Sequence, residues 1–391
     1  PVAASTLTGT LTSSGAVSIG TGRLVNPGTS GTGSLSFGGN LTFDGSATVN
    51  IGALTQYTGT PAMSVTGNLV LNGGAGAVTL NLPTTAVANN TYHLFSHANT
   101  LTDLTGFTLG TSPVLGARQN GQLTNNTGML DYVVIGDTPY WTGALSDEWS
   151  TATLASPKNW ELVTGGTETD FLTNDIVLFN DDATGTTTVD ISVADVSPVS
   201  TEFNNNTLGY TITSSGSYGI ATGSLLKGGT GSLAINTSNT YAGGTTINGG
   251  TVSLGNNAAL GTGSVALNAG ILNLNGASVA NAIVLGGGTL TGAGGVSGVI
   301  SETGGARLLA VANNLTLSGQ NTYSGGTTVN AGTLTLGHAT NTLPDGGAVN
   351  VNGGTLAIGG NSDTVGAVTL TSGSITGTGG TLTGSSYAVQ S

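Results

Sequence analysis

Three sets of residues in this 391-residue chain have the types from which sites are built. The first is acidic. Thirteen of the 18 Asp and Glu residues lie between Asp131 and Glu202, among them Asp170, Asp175, Asp181, Asp182, Asp190 and Asp195. A hard cation such as Ca²⁺ needs several oxygens converging on one point. The loop-like run Asn180-Asp181-Asp182-Ala183-Thr184-Gly185 makes Asp181 and Asp182 the calcium candidates. It has neither the EF-hand spacing nor the Gly-Gly-x-Gly-x-Asp calcium repeat. The alternative is a solvated acidic loop that keeps a nearly uncharged chain soluble.

The second set is aromatic. Trp141, Trp149 and Trp160 all fall within YWTGALSDEWSTATLASPKNW. Their flat faces would stack on sugar rings, or fill the core of a module that lacks a long aliphatic stack. The third set is His93 and His97. On a helix the two would share a metal, but on a strand residues four apart lie about 13 Å from one another. No metal is expected there, and His338 reads as a corner residue.

Enzymatic chemistry finds little support. Polysaccharide-cleaving solenoids need clustered carboxylates with a basic residue or a metal. Residues 207–391 carry only Glu302, Asp345 and Asp363 as acids. The sequence holds no Gly-x-Ser-x-Gly elbow, no phosphate loop and no Cys. No catalytic residue, no cofactor and no enzymatic activity are expected. Net charge is −13, and the five cations, Arg23, Arg118, Lys158, Lys227 and Arg307, are scattered. No basic face can be built from them, so neither nucleic acid nor an anionic membrane surface is an expected partner. No apolar run is long enough to insert in a membrane as a helix.

The elements that must position these residues are short strands. Gly contributes 68 residues and charged residues only 6%. Runs such as 34–37, 40–43 and 47–51 alternate apolar and polar positions between Gly- and Asn-rich corners. Helix is nearly excluded by the density of Gly and β-branched residues. The stretch 239–255, NTYAGGTTINGGTVSLG, returns at 321–337 as NTYSGGTTVNAGTLTLG, with Tyr241 and Tyr323 82 residues apart. Tyr241, Gly243 and Gly244, with Tyr323, Gly325 and Gly326, are expected at the corners and core of this repeat. Its Thr residues are expected to face water or to ladder with neighbours.

The pattern predicts an all-β chain: a parallel β-helix, or β-solenoid, with a less regular β block in the middle. Four regions are expected: N-terminal rungs at 1–85 and irregular rungs with longer loops at 86–139. A Trp- and acid-rich block follows at 140–206, either a small module or widened rungs. A C-terminal solenoid at 207–391 holds both Tyr-Gly-Gly-Thr-Thr units. About 18 rungs at ~4.8 Å each would give a rod approaching 90 Å.

At those units the sequence resembles the autotransporter-associated β-strand repeat, also called the passenger-associated transport repeat. The motif runs Asn321-Thr322-Tyr323-Ser324-Gly325-Gly326-Thr327-Thr328-Val329-Asn330-Ala331-Gly332-Thr333-Leu334. Trp141-Thr142-Gly143-Ala144, Trp149-Ser150 and Asn159-Trp160 resemble the Trp block found ahead of such repeats in large secreted bacterial proteins. The likeness covers 140–391 well and 1–139 loosely. It implies a right-handed parallel β-helix, export to the bacterial surface or beyond, and a scaffold without catalytic residues.

Two functions are expected from this reading. Neither Pro1-Val2-Ala3-Ala4-Ser5, which lacks an initiator Met, nor the mid-rung character of 385–391 reads as a solenoid cap. Head-to-tail pairing with copies of itself would then give a fibre or surface layer. The tail equally reads as part of a longer array. The alternative is an adhesin or stalk that binds polysaccharide or a cell surface through its Trp and acid block.

Overall fold

The computed structural model describes residues 6–27, 33–87, 90–98, 101, 104–126 and 128–390. The terminal readings at 1–5 and 391 lie outside the described residues. Apart from one 3-10 turn at Leu54–Tyr57, every regular element described is a strand. The chain divides into two compact units, Pro1–Asp137 and Thr138–Ser391.

In the first unit the chain visits three sheets in rotation. Thr6–Gly9, Arg23–Pro27, Ala47–Asn50 and Val78–Asn81 lie on one face. Leu11–Ser13, Leu35–Phe37 and Met63–Val65 lie on the second; Val17–Ile19, Leu41–Phe43 and Leu69–Leu71 lie on the third. Each strand pairs in parallel with the equivalent strand of the next rung. Alternation then sets burial. Val25, Val49 and Leu80 stack in register inside, each at 0–1% exposure. On the outer side Asn50 donates to Asn26 and Asn81 donates to Asn50, both at 2.8 Å.

The expectation of irregular rungs over 86–139 needs one correction. Gln119–Asn126 and Met129–Gly136 form an antiparallel hairpin, and its second strand pairs antiparallel with Asn90–Ser96. Leu130, Tyr132 and Val134 cover the core while Asp131 and Val133 face away from it. Within the region expected to carry longer loops, Gln119–Asn126 and Met129–Gly136 are therefore strand.

The second unit begins with an antiparallel trio, Glu168–Thr169, Trp160–Leu162 and Pro139–Trp141. From Ile176–Asn180 onward the ladders are parallel. A second face starts at Thr188–Asp190, and a third sheet takes over toward the C-terminus. The long strand Val349–Gly359 pairs with Thr327–Val329 at one end and Thr333–Leu336 at the other, so it spans a corner. The Trp and acid block forms the first rungs of this unit.

Rung length follows the size of the core side chains. Val177, Thr201 and Leu225 follow one another at 24-residue intervals. Thr245 and Val265 are 20 apart, and Ile283 and Ile300 are 17 apart. The long rungs enclose Trp and Phe rings; the short ones enclose Leu, Ile and Val, with Tyr241 and Tyr323 at the repeat corners. Lys227 stands at this transition. It pairs in register with Phe203 on one side and Ile247 on the other, so its side chain points inward. It is 0% exposed, and its Nζ donates to the carbonyls of Gly228 and Gly229. Burial pulls its pKa down to about 8, against a smaller opposing pull from Asp181.

A lowered lysine pKa makes the unfolded chain the stronger proton binder between pH 8 and the unfolded value of 10.5. The stability contribution is thus full above that window and is lost as pH falls through it. Raising pH from 7.5 to 10 should add about 2 kcal/mol. Above pH 10 the buried Tyr210, Tyr241 and Tyr323 oppose the trend, because burial raises their pKa values. Thermal melts at pH 7.5–10 should show Tm rising for the native chain and staying flat for Lys227→Met. Equal slopes would contradict the buried-charge assignment.

Candidate functional site

The three Trp side chains are 0%, 0% and 1% exposed. Trp160 meets Trp141 edge-on with ring centroids 5.1 Å apart, and Trp149 lies edge-on to Phe171 at 5.6 Å. Phe179 continues the cluster and stacks on Phe203 at 4.6 Å, with Tyr210 closing it from the side. The Trp141 Nε1 donates to Thr186 O at 2.7 Å. No ring face is left open for a sugar, so the glycan-platform reading of Trp141, Trp149 and Trp160 is corrected. They fill the wide end of the second unit's core, where aliphatic side chains would leave voids.

The acids form staples between rungs. Asp181 accepts backbone N–H bonds from Asn206, Thr207 and Leu208 at 2.8–3.0 Å, using both carboxylate oxygens. Those three bonds hold its pKa well below the usual carboxylate range. Asp190 accepts from Ser215 N and Oγ, and Asp195 accepts from Gly219 N. Each reaches 24–27 residues along the chain, one rung away. Asp182 accepts from the Asn180 amide, and Asp170 pairs with Lys158. Among the described residues no three His, Asp or Glu side chains converge as metal ligands would. The calcium candidates Asp181 and Asp182 are thus engaged by the chain's own donors.

The histidines do not come together either. His93, on Asn90–Ser96, pairs with Asp131 on the adjacent strand, Nδ1 to Oδ1 at 2.7 Å, and the other Asp131 oxygen accepts from the Asn126 amide across the hairpin at 2.7 Å. His97 is buried beyond the end of that strand. In the C-terminal repeats Glu302 accepts from Ser324 and from Arg307 N, while buried Asp363 accepts from Leu343 N.

The repeat corners have a common geometry. In the first unit of the motif, Asn239 Oδ1 accepts Ile220 N at 2.8 Å while its Nδ2 donates to Ala259 O at 2.7 Å. In the second, Asn321 accepts Ile300 N at 2.7 Å and donates to Thr342 O at 2.6 Å. One side chain therefore ties its own rung to the rung on each side. Tyr241 and Tyr323 are buried, and each hydroxyl lies 2.7 Å from a Thr hydroxyl, Thr245 or Thr327. A Cβ on Gly243 would stand 2.5 Å from Gly223 O, and one on Gly325 would stand 2.3 Å from the Arg307 carbonyl carbon. Gly244 and Gly326 have φ of +84° and +86°, which side chains disfavour. Glycine is required twice, first by the approach of the neighbouring rung and then by the turn.

Two features escaped the sequence reading. Thr245 and Thr327 are buried at 1% exposure, not facing water. Their parity shows it: each sits two residues before an inward aliphatic residue, Ile247 or Val329. The staple role of Asn239 and Asn321 was also legible, since the Asn recurs two residues before both Tyr residues.

Asn321→Ala would strand Ile300 N–H and the carbonyls of Gly319 and Thr342 in a buried setting. The expected cost is about 2–4 kcal/mol in urea unfolding. Ser324→Ala, one exposed bond in the same corner, should cost about 0.5 kcal/mol or less. Equal costs would contradict the staple.

Residues 225–254 and 312–336 match the family model described as passenger-associated-transport-repeat. Comparison with curated proteins and with solved structures finds no match. The two matched stretches contain or adjoin both Asn-staple corners and the strands that follow them. The chain thus carries two copies of the passenger-associated transport repeat, both set within a parallel β-solenoid.

Proposed function

We propose that this chain is a structural segment of a secreted or surface-displayed bacterial protein. On this reading it is a passenger-like solenoid that extends by strand-edge pairing with further copies of itself. The repeat family suggests the secreted or surface setting. The observation that carries the assembly step is the strand Thr381–Val389. It pairs in parallel with Ser362–Gly377 through eight aligned residues, from Thr381 to Val389. Among the described residues its other edge pairs with no strand. It contains no charged residue and no Pro, the usual devices that blunt an edge. Tyr387 and Val389 are 61% and 80% exposed. The same edge suits the next rung of a longer chain or the first rung of a second copy, because both would offer a parallel ladder.

This reading assigns no catalytic role: Asp181, Asp190 and Asp195 hold adjacent rungs together, and Asp170 and Asp182 are engaged locally. An adhesive stalk remains the second reading, but it needs a surface other than the buried Trp cluster. Sedimentation and negative-stain images of the purified chain at rising concentration test the assembly. Rods that lengthen with concentration are expected, and Tyr387→Lys with Val389→Lys should stop the growth. Particles of constant length at every concentration would contradict it.

A further inference from the structure

One outward face of the second unit carries a column of asparagines with a gap in it. Asn180 pairs in register with Asn204, and Asn204 with Gly228. Asn248 and Asn268 continue the column, one residue beyond the paired Ile247 and Leu267. Asn268 donates to Asn248 Oδ1 at 2.9 Å, the ladder bond expected between neighbouring rungs. Gly228 breaks the run where a fifth amide would stand. The missing side chain leaves a depression of about 250 Å³ lined by Glu202, Phe203, Asn204, Leu226, Gly228 and Asn248.

The column beside it is also unusual. Glu202 lies in register between Leu178 and Leu226 on the outward side. A carboxyl between two leucines is poorly solvated, and burial raises its pKa, with Ser200 as its hydrogen-bonding neighbour. Among the described residues no ion pair reaches it. Unlike Asp181, Asp190 and Asp195, it accepts no N–H from the adjacent rung among the bonds described. Its position thus has no evident part in holding the rungs.

We propose that this depression binds one neutral hexose unit of an oligosaccharide or polysaccharide. Asn204 and Asn248 are two rungs apart, about 10 Å, and bracket the gap with amides that both donate and accept. Glu202 supplies an acceptor able to take two adjacent hydroxyls. The Leu226 side chain offers an apolar wall for the C–H face of a ring. At about 250 Å³ the depression falls just below the roughly 300–1,000 Å³ of pockets for drug-sized ligands, which limits it to a single ring. A carboxyl with no cationic partner and the net charge of −13 argue against uronate or phosphate units. The site is independent of the assembly reading, because it lies on a side face rather than a strand edge.

Gly228 also provides the test. Its φ is ordinary, and a Cβ there would have Asn204 Oδ1 as its nearest atom, 3.6 Å away. Gly228→Asn therefore fills the gap and completes the column without strain. Full-length protein would be titrated by calorimetry and saturation-transfer NMR with glucose-, mannose-, galactose- and N-acetylglucosamine-based oligomers, and with oligogalacturonate. A neutral oligomer should bind and oligogalacturonate should not. Gly228→Asn should weaken binding about tenfold or more with Tm unchanged. Glu202→Gln should weaken it several-fold and serves if the first variant misfolds. Absence of binding to every neutral oligomer would overturn the proposal. So would binding that neither variant changes, or equal binding of oligogalacturonate.

Discussion

A strand in a parallel solenoid finds its backbone partners only in the rungs on either side, so each rung must match the next in register. That constraint organises both units. It fixes which side chains form the inward column, and it leaves the corners as the places where the chain must return to phase. Gly243 and Gly325 yield to the carbonyl of the neighbouring rung, while Gly244 and Gly326 supply the turn. Asn239 and Asn321 then pin the corner to both neighbours. The repeat is conspicuous in sequence because several residues must cooperate at one corner.

The same constraint explains the change in character along the second unit. Rungs of 24 residues enclose more cross-section than rungs of 17–20, and the Trp and Phe cluster occupies it. Their longer loops expose backbone N–H groups, and Asp181, Asp190 and Asp195 accept from those groups one rung away. Toward the narrower rungs Asn takes over this work. Lys227 marks the junction: its long side chain fills part of the inward column and turns its charge to two corner carbonyls.

The alternation of apolar and polar residues made the strands, the parallel stacking and the repeat units readable from the sequence alone. What the sequence concealed were residues whose role depends on a neighbour some 20 residues away. The acids looked like a soluble loop or a cation site because their acceptor role appears only when adjacent rungs are in register. Trp149 could be assigned to core or to surface, since stacking on sugar and packing among rings use the same face. The hairpin at 119–136 was hidden by its Asn- and Gly-rich first strand. Gly228 was indistinguishable from other glycines until the asparagine column around it was aligned.

Register from rung to rung is therefore the claim on which the remaining assignments stand. Thr211, Ala234, Ser253, Asn273 and Thr291 form one outward column over four successive rung steps. Spin labels at Thr211 and Thr291 in the full chain measure that spacing by double electron–electron resonance. Four steps of ~4.8 Å place the labels about 20 Å apart with a narrow distribution. A broad distribution, or one centred beyond about 30 Å, would contradict the in-register stack.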